Sequence, residues 1–329
     1  MAVKGGDVGY EAPFVQTPKI DRLAMEIAEL VGSLVPAGKL STSPTLHRKL
    51  RVKTIRSSLV IEGNALSEEA VTAILDGKRV LGNANDIREV LNAARAYAML
   101  DGLNPTSVED LLRVHRVMMD GLVEEAGRFR TGNVGVYDGG VLIHAGTPAT
   151  YVPEVIADLF GWMARTELHP LIASCVFHYE FEFIHPFSDG NGRTGRLWHT
   201  LLLARWRSIL AWLPVESVIL ERQSGYYAAI AESNYRGSCE VFVEFMLEVI
   251  RDAMRPYAFG ADENEIRRER ALAFLLSDGG ATVEGLAEHL GCSKRTAERI
   301  VADLKADGRI TREGSARGGR WVAGDADAS

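Results

Sequence analysis

The sequence predicts a mainly α-helical protein with one β-hairpin and a small, separate C-terminal module. Three observations carry that prediction. Apolar residues recur at helical spacing through two long tracts, Lys19 to about Asp101 and Glu154 to about Tyr257. Between them, residues 127–153 (GRFRTGNVGVYDGGVLIHAGTPATYVP) change character, with glycine, valine and tyrosine around a DGG turn. Beyond the polar stretch FGADENE, residues 259–265, a third periodic segment begins.

Taken in order, residues 1–18 read as a loose arm. The first tract is broken near PAGKLSTSP and GNAND, where turn residues cluster. Another helix is expected between Thr106 and Gly121, with Pro105 just before it. The hairpin pairs roughly Val134–Tyr137 with Val141–His144, and an open hairpin edge can accept an extended peptide. In the second tract, LWHTLLLARW is apolar on nearly every face and reads as a buried helix. Trp198, Trp206 and Trp212 are expected as core anchors, and His178 as a core histidine rather than a metal ligand. No internal repeat or low-complexity tract interrupts the chain.

The chain has 329 residues, 47% hydrophobic and 25% charged, which fits a soluble globular protein of two or three domains. A net charge of −7 argues against a generally basic coat for nucleic acid. Cys175, Cys239 and Cys292 are far apart with no C-x-x-C spacing, so each is expected as a small buried hydrophobe. MAVKGGDVGYEAPF lacks the apolar run of a signal peptide, and no stretch approaches the ~18 apolar residues of a membrane span. A cytoplasmic location is the expectation.

The unusual chemistry lies in HPFSDGNGRTGR, His185 to Arg196. It opens a core helix, where free N–H groups and the positive end of the dipole favour an anion. Gly190, Asn191 and Gly192 let the backbone approach a ligand closely. Arg193 and Arg196, three apart, can point to one side of the first turn. Two cations there oppose the dipole at roughly 0.3–1 kcal/mol each, a cost that a bound polyphosphate offsets. Asp189 is a hard oxygen donor suited to Mg²⁺ beside phosphates. His185, separated from the helix by Pro186, suits a general base. The plainer alternative is a tight turn feeding a core helix, with both arginines on a solvated face.

A second oddity is a carboxylate on an apolar stripe. In RVKTIRSSLVIEGN, residues 51–64, Val52, Ile55, Leu59 and Glu62 fall on one helical face. Gly63 and Asn64 are C-cap residues, so Glu62 sits where both the dipole and burial disfavour its charge. It needs a cation.

HPFSDGNGRTGR fills every defining position of the motif His-x-Phe-x-(Asp/Glu)-Gly-Asn-Gly-(Arg/Lys)-x-x-Arg, so the chain resembles the Fic (Fic/Doc) family. The resemblance spans roughly residues 20–256 and implies a Fic-type helical core, with the hairpin as a flap holding a target segment. It implies a protein adenylyltransferase that uses ATP and Mg²⁺. In that scheme His185 deprotonates a Ser, Thr or Tyr hydroxyl and Phe187 packs to fix the loop. Asp189 holds the metal, Gly190, Asn191 and Gly192 cradle the phosphates, and Arg193 and Arg196 take the β and γ sides. Tyr227 and Asn234, seven apart on one helical face, match an adenine-contacting pair. Ser58-Leu-Val-Ile-Glu62-Gly63 matches the inhibitory motif (Ser/Thr)-x-x-x-Glu-(Gly/Asn), whose glutamate pairs with the second motif arginine, here Arg196. This is the class with an N-terminal inhibitory helix, here about residues 46–63. The same glutamate can serve removal of AMP, and a homodimer is implied on family grounds alone.

The third segment repeats one spacing twice, in Val283, Leu286, Ala287 and Leu290, then Ala297, Ile300, Val301 and Leu304. Ser293 is a plausible N-cap, and RITREGSARGGRWV reads as two strands around a wing. This resembles a winged helix-turn-helix. Residues 266–323 hold eleven Lys/Arg against eight Asp/Glu. Lys294, Arg295 and Arg299 on the second helix, with Arg312, Arg317 and Arg320 on the wing, suit either DNA or a protein partner. The expected division is residues 1–101, an N-terminal helical region; 102–258, the catalytic core; and 266–323, the winged module. A rival reading is a nucleotide-sensing, DNA-binding regulator that transfers nothing.

Overall fold

Helix starts follow the local chemistry of the sequence. Ser67, Asn83, Ser107, Thr282 and Ser293 each stand at an N-cap and accept an N–H two or three residues on. The structure, a computed structural model, describes residues 10–37, 44–138, 141–258, 263–277, 281–313 and 320–324. It divides into two compact units, residues 1–255 and 256–329.

The first unit contains α1 (Pro18–Ala37), α2 (Pro44–Ile61), α3 (Glu68–Leu75), α4 (Ala84–Tyr97) and α5 (Val108–Met118). After a β-hairpin come α6 (Val152–Arg165), α7 (Pro170–Ile184), α8 (Asn191–Trp206), α9 (Val215–Glu221), α10 (Gln223–Arg236) and α11 (Glu240–Met254). Helices α7 and α8 form its centre, because they are apolar on almost every face. Phe177, Phe181, Leu197, Trp198, Leu201 and Leu203 are all fully buried. Helix α11 packs on α7 and on α1, while α2 packs on α4, α8 and α9. The hairpin is β1 (Gly135–Asp138) against β2 (Val141–Ala145), antiparallel, with a register irregularity between Val136 and Tyr137. Among the described residues neither strand pairs with a third.

The second unit holds α12 (Glu263–Ser277), α13 (Val283–Leu290), α14 (Lys294–Ala306), β3 (Ile310–Glu313) and β4 (Arg320–Ala323). Leu275, Leu286, Leu290, Ala297, Ile300, Leu304, Ile310 and Trp321 form its core. The Trp321 indole donates to the Ala281 carbonyl at 2.9 Å. Arg317 lies outside the described residues.

Four expectations change. Residues 10–17 form a strap, since the Pro13 carbonyl accepts the Cys239 N–H at 2.9 Å and the Tyr10 hydroxyl donates to buried Glu180 at 2.5 Å. Helix α12 begins at Glu263, so the last residues of the expected linker are helical, their acids suiting a helix start. Trp206 and Trp212 are only half-buried, because α8 runs out of the core at its C-terminus. Trp212 instead stacks on His47 at 4.0 Å beneath Arg51. Cys292 is half-buried, whereas Cys175 and Cys239 are buried. No described helix is long and apolar enough to cross a membrane.

His178 and His199 face each other between α7 and α8, ring centroids 5.0 Å apart, both buried. Burial pushes His199 down to about 3. Burial does the same to His178, with His199 and Arg196 adding to it. An unfolded His199 takes its proton near pH 6.5, so the unfolded state binds more protons between that value and about 3. The stability from His199 is thus complete above about pH 6.5 and is lost as pH falls. The stability advantage of wild type over His199→Gln should shrink by up to about 1.4 kcal/mol per pH unit between pH 6.5 and 5. Urea unfolding of both proteins across that range measures it, and a constant difference would contradict a buried neutral ring.

Candidate active site

Helix α7 ends at Ile184, and His185 turns the chain back with φ 53° and ψ 63°. It is the only non-glycine residue with positive φ among those described. That conformation costs an L-residue roughly 1–2 kcal/mol, so its surroundings must hold it. The His185 N–H bonds the Phe181 carbonyl at 3.0 Å. Buried Arg130 donates Nε to the His185 carbonyl at 2.7 Å, and its own N–H to the Pro186 carbonyl at 3.0 Å. Phe187 is fully buried, stacked on His115 at 3.6 Å. The Asn191 side chain accepts the Phe187 N–H and donates to its carbonyl, both at 2.8 Å. Its amide therefore closes the loop. His115 Nδ1 accepts the Gly127 N–H at 2.9 Å, so Nε2 carries the proton given to the Asp189 carbonyl at 3.0 Å. Burial pushes this ring down to about 4, which keeps it neutral in that tautomer.

Helix α8 starts from Gly190, φ 80°, with no side chain capping it. Its first N–H groups are those a helix leaves without internal partners. A Cβ on Gly192 would lie 2.4 Å from Glu62 Oε1 and 2.8 Å from Arg196 Nη1, so only glycine leaves that space open. Arg193 and Arg196 are buried, at 4% and 2% exposure, which removes the solvated-face alternative. Arg193 donates to Glu89 on α4 at 2.7 Å and to Asp189 at 3.0 Å, and its buried Nε has no partner. Arg196 Nε donates to Ser58 Oγ at 3.0 Å, and its Nη2 to the Ser58 carbonyl at 2.9 Å and to Glu62 Oε1 at 2.8 Å. Burial alone would push the Arg196 guanidinium down, but the Glu62 carboxylate beside it raises it. Behind it, burial lifts Glu182 to about 7 despite Arg196.

Glu62 lies one residue past the end of α2, in a turn where the Glu62 and Asn64 N–H groups both reach the Leu59 carbonyl. Gly63 takes φ 94° there, as the C-cap reading requires. Asn64 donates to Glu89 at 2.8 Å, so one corner of the chain touches the partners of both arginines. The Asp189 side chain is 54% exposed and open to a cation. Helix α10 begins against this corner, Gln223 donating to the Ile61 carbonyl at 3.2 Å. On α10, Tyr227 is exposed and the Asn234 amide oxygen accepts the Tyr179 hydroxyl at 2.8 Å.

Glu89, His115, Arg130 and Glu182 were not singled out from the sequence. His115 shares a stripe with Leu111 and Met118, and Glu89 one with Ala93 and Ala96, the same signal that marks Glu62. Arg130 carries no periodic signal.

Residues 105–203 match the Fic/DOC family model, and residues 267–311 match that of the homeodomain-like domain. A solved Fic family protein from Desulfovibrio desulfuricans is 40% identical with a TM-score of 0.73, over 96% of this chain and 99% of that one. Protein adenylyltransferase fic-1 of Caenorhabditis briggsae is 28% identical over 286 residues, 81% of this chain and 51% of that protein. The Caenorhabditis elegans protein of the same name is 30% identical over 236 residues, 66% of this chain and 44% of that protein. The chain spans about half the length of the curated relatives it matches.

The loop geometry makes its own prediction. Asn191→Ala leaves a buried N–H and carbonyl of Phe187 without partners, at about 1–3 kcal/mol. Urea unfolding should show that loss, and an unchanged midpoint would mean the clamp contributes nothing.

Proposed function

The chain belongs to the Fic family, and we propose that it is a protein adenylyltransferase, moving AMP from ATP to a Ser, Thr or Tyr hydroxyl of a protein. One observation carries the reading. Two buried arginines stand in the first turns of a helix with no side-chain cap, which follows a histidine held in a left-handed backbone. Such a site takes a polyphosphate and a hydroxyl next to it. His185 removes the hydroxyl proton, the oxygen attacks the α-phosphorus, and pyrophosphate leaves with the cleaved bond's electrons. Gly190, the Asn191 N–H and Gly192 line the phosphates, while Arg193 and Arg196 balance charge on the departing side. The partnerless Nε of Arg193 fits an added anionic oxygen. Asp189 is placed to hold Mg²⁺, which would neutralise phosphate charge when bound. Tyr227 and Asn234 are assigned to the adenine, the ring stacking and the amide bonding to base edges.

Glu62 is assigned as an inhibitor. Its carboxylate occupies the Arg196 face that a γ-phosphate needs, so ATP would lie in a pose unfit for in-line attack. Glu62→Gly should raise AMP transfer on the order of 10²-fold, if the displaced pairing is worth about 3 kcal/mol. His185→Ala should abolish transfer yet keep ATP affinity. Mass spectrometry of all three proteins after incubation with ATP and Mg²⁺ reads the added AMP. Wild-type labelling by His185→Ala, or no gain in Glu62→Gly, would remove the corresponding assignment.

For the second unit we propose duplex DNA as partner, on the exposed Arg295 and Arg299 of α14. Lys294 is tied to Glu284 at 2.6 Å. Removing both arginines should weaken binding and flatten its salt dependence. DNA binding in the absence of any AMP labelling would favour the regulator reading.

A further inference from the structure

Arg130 is 3% exposed and sits between the hairpin and the loop after α7. Its guanidinium donates to four main-chain carbonyls among the described residues. Nε reaches His185, Nη1 reaches Gly132 at 3.0 Å, and Nη2 reaches Thr147 and, at 3.3 Å, Ile184. Gly132 and Thr147 flank the two hairpin strands in sequence. The Gly146 N–H bonds the Val134 carbonyl at 3.1 Å, and the Ala149 N–H bonds Asn133 Oδ1 at 2.9 Å, which closes the stem. One rigid fork therefore joins three chain segments.

We propose that Arg130 is a positioning residue for the transfer step, fixing the His185 backbone and both stems of the hairpin in one frame. The proposal rests on the reading of His185 as base and of the hairpin as the holder of the target segment. The His185 N–H is fixed to Phe181, and its carbonyl is fixed by Arg130, so both peptide planes around the strained residue are set. Because the same guanidinium grips Gly132 and Thr147, the hairpin cannot shift without disturbing the histidine. A lysine could keep the charge, but a single ammonium cannot span carbonyls on three segments. A displacement of about 1 Å between base and hydroxyl costs on the order of 10²-fold in rate.

The test uses the full chain with ATP and Mg²⁺, reading auto-labelling, ATP affinity by calorimetry, and the melting midpoint. Arg130→Lys should lose on the order of 10²-fold in labelling while ATP affinity stays within about twofold. After normalisation to the folded fraction the loss should remain, and it should lie in the rate at saturating ATP with the KM for ATP unchanged. A purely structural role would instead lower labelling only in proportion to the folded fraction. Either that result or wild-type labelling in Arg130→Lys overturns the proposal. Arg130→Gln, which keeps one amide donor without charge, is the second variant. If both variants are unfolded at 15 °C the role is structural and the proposal is wrong. If wild type and Glu62→Gly both fail to label, the transferase reading itself has failed, and the positioning role falls with it.

Discussion

Two guanidinium groups buried at the positive end of a helix cannot stand without anions. Arg193 and Arg196 oppose the dipole of α8 and have left water, so each needs a partner of opposite charge close by. The chain provides those partners from outside the motif. Glu62 comes from the end of α2 and Glu89 from α4, two elements that precede the motif by about a hundred residues or more. The N-terminal helices are thus fastened to the centre of the fold by two ion pairs with buried arginines. Asn64, bonded to Glu89, links the two pairs. A ligand that takes one arginine must therefore compete with a packed helix end rather than with water.

The loop that carries His185 is held by a different kind of force. Its restraints are hydrogen bonds to neutral groups rather than ion pairs: an amide clamp from Asn191, a tautomer-locked ring from His115, and main-chain carbonyls gripped by Arg130. These do not change with an anion's arrival. Charge can be rearranged on one side of the site while the histidine stays in place on the other. Such separation suits a catalyst in which occupancy is controlled but geometry is not.

Much of this was legible in the residues. Period alone gave the helices, and glycine spacing gave the hairpin within a residue or two. Glu62 was readable because a carboxylate on an apolar stripe at a helix C-terminus is unstable on two counts. Glu89 and His115 show the same signature, yet each sits on an amphipathic helix where one polar residue near the stripe is easily taken for its border. Arg130 and Glu182 had no such signal, for opposite reasons. Arg130 lies in irregular chain with no period to violate, and Glu182 lies in a helix so apolar that it has no polar face for comparison. The arm and the tryptophans failed on tertiary grounds. A buried carboxylate on α7 recruits Tyr10 from far along the chain, and α8 leaves the core before its last aromatic.

Gly192 lies against both members of the Glu62–Arg196 ion pair. Any side chain there would crowd the Glu62 carboxylate and the Arg196 guanidinium alike, so the pair closes over a glycine. A substitution at that position therefore disturbs both members of the pair at once. From the α2 side, Ser58 and Glu62 supply the oxygens that Arg196 meets. The strength of that contact is thus set jointly by the end of α2 and the start of α8.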